Sequence, residues 1–332
     1  MKKKISITIL MMLLSFPVFS QKADKGEGFV PNGKPIINVF TDFRFAVQDG
    51  KTNAAFEITR GYLGYIYHFS PNFSSKVLMD VSTNNKGGTF PSAYTAFLKY
   101  AYGEYHNKVV TIDLGMMDTN LFVLQEALWS KRYVMKSFQD MNEYGYRADI
   151  GLGVKVQVTP KLSIDAQVVN GEGFQKVQSD STVKVSAGIT YEPIKHIILR
   201  LYADYMKKNV AQKTFSTLIG YKDDHLTIAG EYNYQKGNKM IKEHNLSGIS
   251  LYGIYRTNKN ISVFGRYDYL TSASTSTDEH WNDTKNGQTY AAGIEFIPIK
   301  SIYISPNIQV FNPKSAAIKP TTSFLLSFNF NF

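Results

Sequence analysis

Apolar residues recur at every second position along most of this chain, the period of a strand with one apolar and one polar face. Between His225 and Gln235, Leu226, Ile228, Gly230, Tyr232 and Tyr234 share one face, and Thr227, Ala229, Glu231, Asn233 and Gln235 the other. Over 196–206, Ile197, Leu199, Leu201, Ala203 and Tyr205 oppose Arg200, Tyr202 and Asp204. Over 148–158, Ile150, Leu152, Val154, Val156 and Val158 oppose Gly151, Gly153, Lys155 and Gln157. The C-terminus sets Phe324, Leu326, Phe328, Phe330 and Phe332 against Leu325, Ser327, Asn329 and Asn331. The pattern predicts sixteen strands, at 36–47, 54–69, 73–84, 94–106, 108–118, 148–158, 161–170, 182–192, 196–207, 214–222, 224–235, 245–256, 260–271, 287–297, 300–311 and 320–332. Parity is ambiguous only in 54–69, where Glu57 and Arg60 fall in opposite sets.

Connection lengths alternate. Seven short turns, at 70–72, 107–108, 159–161, 193–195, 223–224, 257–260 and 298–300, are rich in Pro, Asn, Asp and Lys. Between them lie eight longer loops, near 48–53, 85–93, 119–147, 171–181, 208–213, 236–244, 272–286 and 312–319. This describes an all-β fold: a 16-stranded antiparallel transmembrane β-barrel, with short periplasmic turns, longer extracellular loops and both termini on the short-turn side. A soluble β-sandwich shares the alternation. Three features favour the membrane. Sixteen strands exceed what one soluble sheet sustains. Aromatics cluster near strand ends, as at Tyr100, Tyr102 and Tyr105, Tyr232 and Tyr234, and Tyr267 and Tyr269, like interfacial girdles. The polar faces are rich in Gly, Ser, Thr and Asn, which suit a wet lumen.

Composition sharpens this picture. Of 332 residues, 22 are Tyr and 22 Phe against two Trp, and there is no Cys. Disulfide scaffolds and thiolate metal sites are therefore excluded. Mean hydropathy is −0.22, unlike a helical membrane protein. Residues 1–20 read as a signal peptide: Lys2, Lys3 and Lys4 precede an apolar run, and Val18 and Ser20 sit at the −3 and −1 positions of a cleavage site. Removing its three lysines takes the formal charge from +10 to +7. A short periplasmic segment, 21–35, then leads into the barrel at 36–332, too short to be a transporter plug.

Three segments narrow the class: Phe56-Glu57-Ile58-Thr59-Arg60-Gly61-Tyr62-Leu63-Gly64, Val110-Thr111-Ile112-Asp113-Leu114-Gly115, and Arg147-Ala148-Asp149-Ile150-Gly151-Leu152 followed by Asn170-Gly171-Glu172-Gly173. Their order and spacing resemble the phosphate-selective porin O/P family. That resemblance implies a sixteen-stranded, usually trimeric, anion-preferring outer-membrane porin. Where such porins carry a Pro-Phe element before the third loop, this chain has Met116-Met117-Asp118-Thr119-Asn120. Phe328, Phe330 and the terminal Phe332 resemble the signal read by the barrel assembly machinery.

The third long loop, 119–147, is the longest connection and unusually apolar (Leu121 to Leu124, Ala127 to Trp129). A sixteen-strand barrel encloses an aqueous channel, and general porins resemble one another in narrowing it with this loop. Thr119 or Asn120 is placed to N-cap a short helix, with Arg132 and Lys136 sharing a helical face. The loop is expected to pack on the inner wall and present Glu126, Lys131, Arg132, Lys136, Asp140, Glu143 and Arg147 to the channel; a surface lid or a trimer contact is the alternative. By parity the lumen wall carries Arg44, Lys76, Lys99, Lys155, Lys184, Arg200 and Arg266, nearly balanced by Asp42, Asp80, Asp113, Asp165, Asp204, Glu231, Asp268 and Glu295. Most of the net charge lies in the loops, chiefly Lys207, Lys208, Lys213, Lys236, Lys239 and Lys242. This basic mouth either concentrates anions or meets lipopolysaccharide phosphates.

The six histidines are scattered without metal-ligand spacing, and no nucleophile elbow or phosphate loop is present. The expected function is passive diffusion of small hydrophilic solutes, inorganic anions and phosphate among them, without enzyme activity or cofactor. Expected partners are outer-membrane lipid, lipopolysaccharide and the assembly machinery, as a homotrimer and not with nucleic acid. A structural or adhesin barrel and an outer-membrane enzyme barrel are the alternatives.

Overall fold

The computed structural model describes residues 28–83 and 94–332. The signal peptide at 1–20 and the loop at 85–93 fall outside those residues. All sixteen strands are present: β1 Asn32–Gln48, β2 Lys51–Ser70, β3 Phe73–Thr83, β4 Tyr94–His106, β5 Val110–Asp118, β6 Ala148–Thr159, β7 Leu162–Val169, β8 Lys184–Tyr191, β9 Ile197–Lys207, β10 Ala211–Lys222, β11 Leu226–Lys236, β12 Leu246–Asn258, β13 Ile261–Ser272, β14 Gly287–Ile299, β15 Ile302–Pro313 and β16 Thr321–Asn331. Each pairs antiparallel with its sequence neighbours. β1 pairs with β16 from Asn38↔Asn331 to Gln48↔Thr321 and closes the barrel. The seam ends with the Phe332 N–H donating to Ile37 O at 2.8 Å. Closure leaves no sheet edge, which lipid demands because it offers no partner for a free N–H or C=O.

The apolar face of the alternation points outward. Leu114 is 65% exposed and Ile219 58%, and Leu63, Ile228, Leu251 and Phe324 share that face. Water would penalise such a surface around a whole barrel; lipid does not. Phe328 and Phe330 lie in this belt with parallel rings, and Tyr267 meets Tyr290 at 5.2 Å.

Two β-bulges set which side chains enter the lumen. In β2, Phe40 pairs with Arg60 and Thr41 with Ile58, so Thr59 is the extra residue. Parity flips there, and both Glu57 and Arg60 face inward, which resolves the conflict in the sequence pattern. In β4, Leu78 pairs with Tyr100 and Met79 with Leu98, so Lys99 is extra. Tyr100 and Tyr102 consequently turn into the lumen rather than joining the outer girdle with Tyr105.

Two connections are shorter than their composition suggests. The loop expected at 48–53 is a two-residue turn, because Asp49 (φ 51°) and Gly50 (φ 72°) both take positive φ and let Gln48 pair with Lys51. The loop at 208–213 shrinks to 208–210 because β10 starts at Ala211. The segment between β5 and β6 holds two short helices, α1 Val123–Trp129 and α2 Phe138–Met141. The expected N-cap is absent. Phe122 occupies it without a side-chain bond, while Thr119 Oγ1 donates to Tyr146 O at 2.6 Å and Asn120 Nδ2 to Asp165 at 2.7 Å. Arg132 and Lys136 lie between the helices and share no helical face.

Candidate functional site: the inner loop and the wall it faces

The loop between β5 and β6 sits inside the barrel, seated on lumen-facing side chains of one wall. Its Leu121, Phe122, Phe138 and Tyr144 form a buried cluster with Tyr202, Leu246 and Leu270. Its Leu128, Trp129, Tyr133, Val134 and Met135 pack with Leu218, Tyr252, Ile254 and Phe264. Burying this apolar side explains why so apolar a segment is a loop at all.

Polar groups fix the seat at points along the loop. Lys131 pairs with Glu295 and donates to Ser262 Oγ at 3.2 Å, and Tyr133 OH donates to Glu295 at 2.7 Å. Gln139 Nε2 donates to Glu231 and to Asn233. Arg266 is paired with Asp268, donates to Lys136 O at 2.7 Å and lies 5.0 Å from the Trp129 ring. Arg200 pairs with Asp165 and donates to Asn120 O at 2.8 Å. Buried groups of this kind need such partners.

This seat redistributes the residues expected at the channel. Arg200, Glu231, Arg266 and Asp268 face the lumen side of the wall, but the loop covers them and they act as its anchors. Asp204 is likewise covered, bonded to Lys184 at 2.9 Å and to Tyr202. Lys131, expected to face the channel, points back into the wall with its side chain 4% exposed, because Glu295 lies there. Asp42 is buried near Ser327, Arg44 lies exposed beyond it on β1, Asp113 sits opposite Glu104 near the short-turn end, and Lys155 is exposed across from Asp165. None of these last four forms an ion pair among the described residues.

The remaining predicted charges gather on the free side of the loop. Arg132 donates to Glu126 at 2.7 Å and Asp140 at 2.5 Å; Arg147 donates to Glu126 at 2.8 Å and to Asp118. Opposite, on β2–β4, Asp80 accepts from Arg60 at 2.6 Å and forms an ion pair with Lys99 at 3.2 Å, and Lys99 donates to Tyr62 OH at 3.1 Å. Lys76 stands over the Tyr100 ring at 4.4 Å. Neither Lys76 nor Lys136 has a carboxylate within 4.0 Å among the described residues. Arg60 and Tyr62 were not picked out by sequence; the parity conflict in β2 was the signal.

Two cavities meet at this cluster. One, of about 600 Å³, opens toward the long loops and is bordered by Arg60, Arg132, Lys136, Asp140 and Arg147. The other, of about 440 Å³, lies toward the short turns, against the first halves of β1 and β3. Arg132 and Arg147 border both. Burial alone raises the Asp140 carboxyl, but Arg132 and Lys136 outweigh it and hold the group at about 2. Burial pulls Lys136 below the ordinary lysine range. Glu143 departs from its expected place among these charges. It sits at the rim of the outer cavity with positive φ, where Lys239 at 2.5 Å and Lys285 at 2.8 Å outweigh burial and hold it at about 2. No group of three or more acidic or histidine side chains is placed to hold a metal among the described residues.

No protein-family model matches the sequence, and no curated protein matches it. Solved structures do. The outer membrane channel DcaP of Acinetobacter baumannii superposes with a TM-score of 0.66 at 13% identity, over 91% of this chain and 97% of that one. The anion-selective porin from Comamonas acidovorans gives 0.66 at 10% identity, over 91% and 100%. Pseudomonas putida OprB gives 0.67 at 9% identity, over 90% and 94%. At such identities the likeness is one of fold. A closed sixteen-strand antiparallel barrel with an apolar outer belt is the fold of a bacterial outer-membrane porin, and it places this protein in that membrane.

Proposed function

We propose that this barrel is a porin that passes small hydrophilic solutes down their gradient and prefers anions, inorganic phosphate among them. The path runs between the inner loop and the β2–β4 wall, with the cluster around Arg132 as its constriction. The observation that carries the reading is the charge balance there. Six cations, Arg60, Lys76, Lys99, Arg132, Lys136 and Arg147, meet four carboxylates, Asp80, Asp118, Glu126 and Asp140, and Lys76 and Lys136 are the unpaired excess. Rings of Arg and Lys select anions in pores. The paired groups hold the ring open, and the two free lysines set its sign. The protein assembles in this reading as a homotrimer surrounded by lipid and lipopolysaccharide, after delivery by the barrel assembly machinery through Phe328, Phe330 and Phe332.

The test is the reversal potential in a planar bilayer under a salt gradient. The native channel is expected to favour chloride over potassium. Exchanging Arg132 and Lys136 together for Glu is expected to reverse that preference; unchanged selectivity removes them from the constriction. Phosphate added as a competitor is expected to reduce chloride current, and failure to do so ends the phosphate part of the proposal. Liposome swelling with small sugars separates a porin from an adhesin or enzyme barrel with a filled lumen.

A further inference from the structure

The cavity on the periplasmic side of Arg132 differs in kind from the outer one. Four aromatic rings, of Phe40, Tyr62, Tyr100 and Tyr133, border it together with Ile36 and Leu78. Phe40 meets Tyr62 edge-on at 5.8 Å and Tyr133 at 6.3 Å, so these three rings form a continuous aromatic wall. Its charges are lopsided. Lys76, Lys99, Arg132 and Arg147 line it against one carboxylate, Glu126, whereas the outer cavity mixes seven cations with five carboxylates.

Most of those cations are already committed. Lys99 goes to Asp80, Arg132 to Glu126 and Asp140, and Arg147 to Asp118 and Glu126. Lys76 alone among them has no carboxylate partner among the described residues, and the Tyr100 face steadies it. Asn38 and Asn329, on the paired strands β1 and β16, close the side of the chamber. The oxygen of each amide is buried without a hydrogen-bond partner. Neither amide nitrogen donates to a protein group among the described residues, so both remain available to a solute in the chamber.

We propose that this chamber is a binding subsite for small aromatic carboxylates. It rests on the proposed diffusion path, of which it is the inner half. A strongly hydrated inorganic anion gains nothing from an aromatic wall and must give up water beside it. An acid with a flat apolar body gains on both counts. Its ring packs edge-on against Phe40 and Tyr62, and its carboxylate meets Lys76 with the amides of Asn38 and Asn329 alongside. The volume, about 440 Å³, suits such a ligand, and the lining sets an aromatic and aliphatic wall against cations and amides, the two features such an acid presents.

The test uses the purified full-length protein in a planar bilayer, with benzoate added to the short-turn side and chloride current as the readout. Acetate and inorganic phosphate are run at matched ionic strength. Benzoate is expected to interrupt the current at about tenfold lower concentration than acetate, the value of one well-packed ring. Lys76→Gln is expected to raise the half-blocking benzoate concentration about tenfold, as loss of one charge-assisted contact does. Phe40→Leu, which keeps an apolar side chain in the cluster, is expected to narrow the benzoate-to-acetate ratio without altering block by phosphate. Equal block by benzoate and acetate, or a benzoate-to-acetate ratio indifferent to Phe40→Leu, each overturns the proposal; phosphate block at the outer constriction belongs to the diffusion path and is unchanged by Phe40→Leu. A barrel with no chloride current refutes the diffusion path instead. Calorimetric titration of benzoate into the detergent-solubilised protein then decides the subsite by itself, with no heat of binding as the refuting result.

Discussion

The pair of Lys131 and Glu295 fastens the middle of the inner loop to β14, and its loss should free the loop without opening the barrel. In Glu295→Gln the Lys131 ammonium keeps polar partners but no opposite charge, with its side chain 4% exposed. Two routes bound the cost. An uncompensated buried charge costs about 3–5 kcal/mol. The lysine can instead shed its proton at pH 7, which costs at most the distance from an ordinary value of about 10.4 at about 1.36 kcal/mol per unit, or about 4.6 kcal/mol. Burial already pulls Lys131 below that ordinary value, which lowers the second bound. The expected loss in the free energy of seating the loop is therefore about 3–4 kcal/mol. Trp129 reports it, being 1% exposed and packed against Tyr252 and Phe264. The only other tryptophan, Trp281, stacks on His244 in the loop between β13 and β14 and can be replaced by Phe to leave one emitter. In guanidinium titrations of protein in lipid vesicles, Glu295→Gln should shift Trp129 emission to the red well before the circular dichroism of the sheet is lost. Adding Lys131→Met should restore most of the loss, because neither charge then remains buried alone. A single variant that unseats no earlier than the native protein, or a double variant no better than the single, would refute this account of what holds the loop.

The Asp140 carboxyl is depressed to about 2, so its contact with Arg132 contributes fully above the ordinary carboxylate value and is lost only as pH falls toward 2. A carbon-13 titration of that carboxyl in micelles should stay flat from neutrality to about pH 3, and an inflection near the ordinary value of about 4 would contradict it. Gly115 has φ of +123°, and a Cβ there would lie 2.3 Å from Ala101 O, whereas one on Gly50, at φ +72°, would meet nothing. Gly115→Ala should therefore cost at least about 2 kcal/mol in denaturant unfolding and Gly50→Ala about 1 kcal/mol; equal losses would count against the backbone clash.

The strands were legible because a barrel wall is the purest case of alternation: every residue faces lipid or lumen, and the period survives in all sixteen. What blurred it was local. Thr59 and Lys99 each add one residue to a strand, and a single insertion exchanges the faces beyond it. Tyr100 and Tyr102 therefore looked like girdle residues, and Arg60 stood in the wrong set. Asp49-Gly50 was a hairpin signal lost among the surrounding polar residues. For the loop, apolar content and length pointed to the inner wall, and Arg132, Lys136 and Asp140 do gather on its free side. Sequence could not separate Lys131 from Arg132. Which neighbour turns to the wall depends on Glu295, more than 160 positions away, and on a turn between two helices too short to be read from periodicity.

The inner loop also divides the wall into two kinds of backbone. Strands β10–β13 carry lipid outside and packed protein inside, so their ladder bonds are dry on both faces. Strands β2–β4 carry lipid on one face and open cavities on the other. Deuterium can reach their amides from the lumen without any strand parting. The circumference should thus exchange unevenly, with a fast arc and a slow arc in one continuous sheet. Any event that lifts the loop should erase that contrast before it changes the sheet itself.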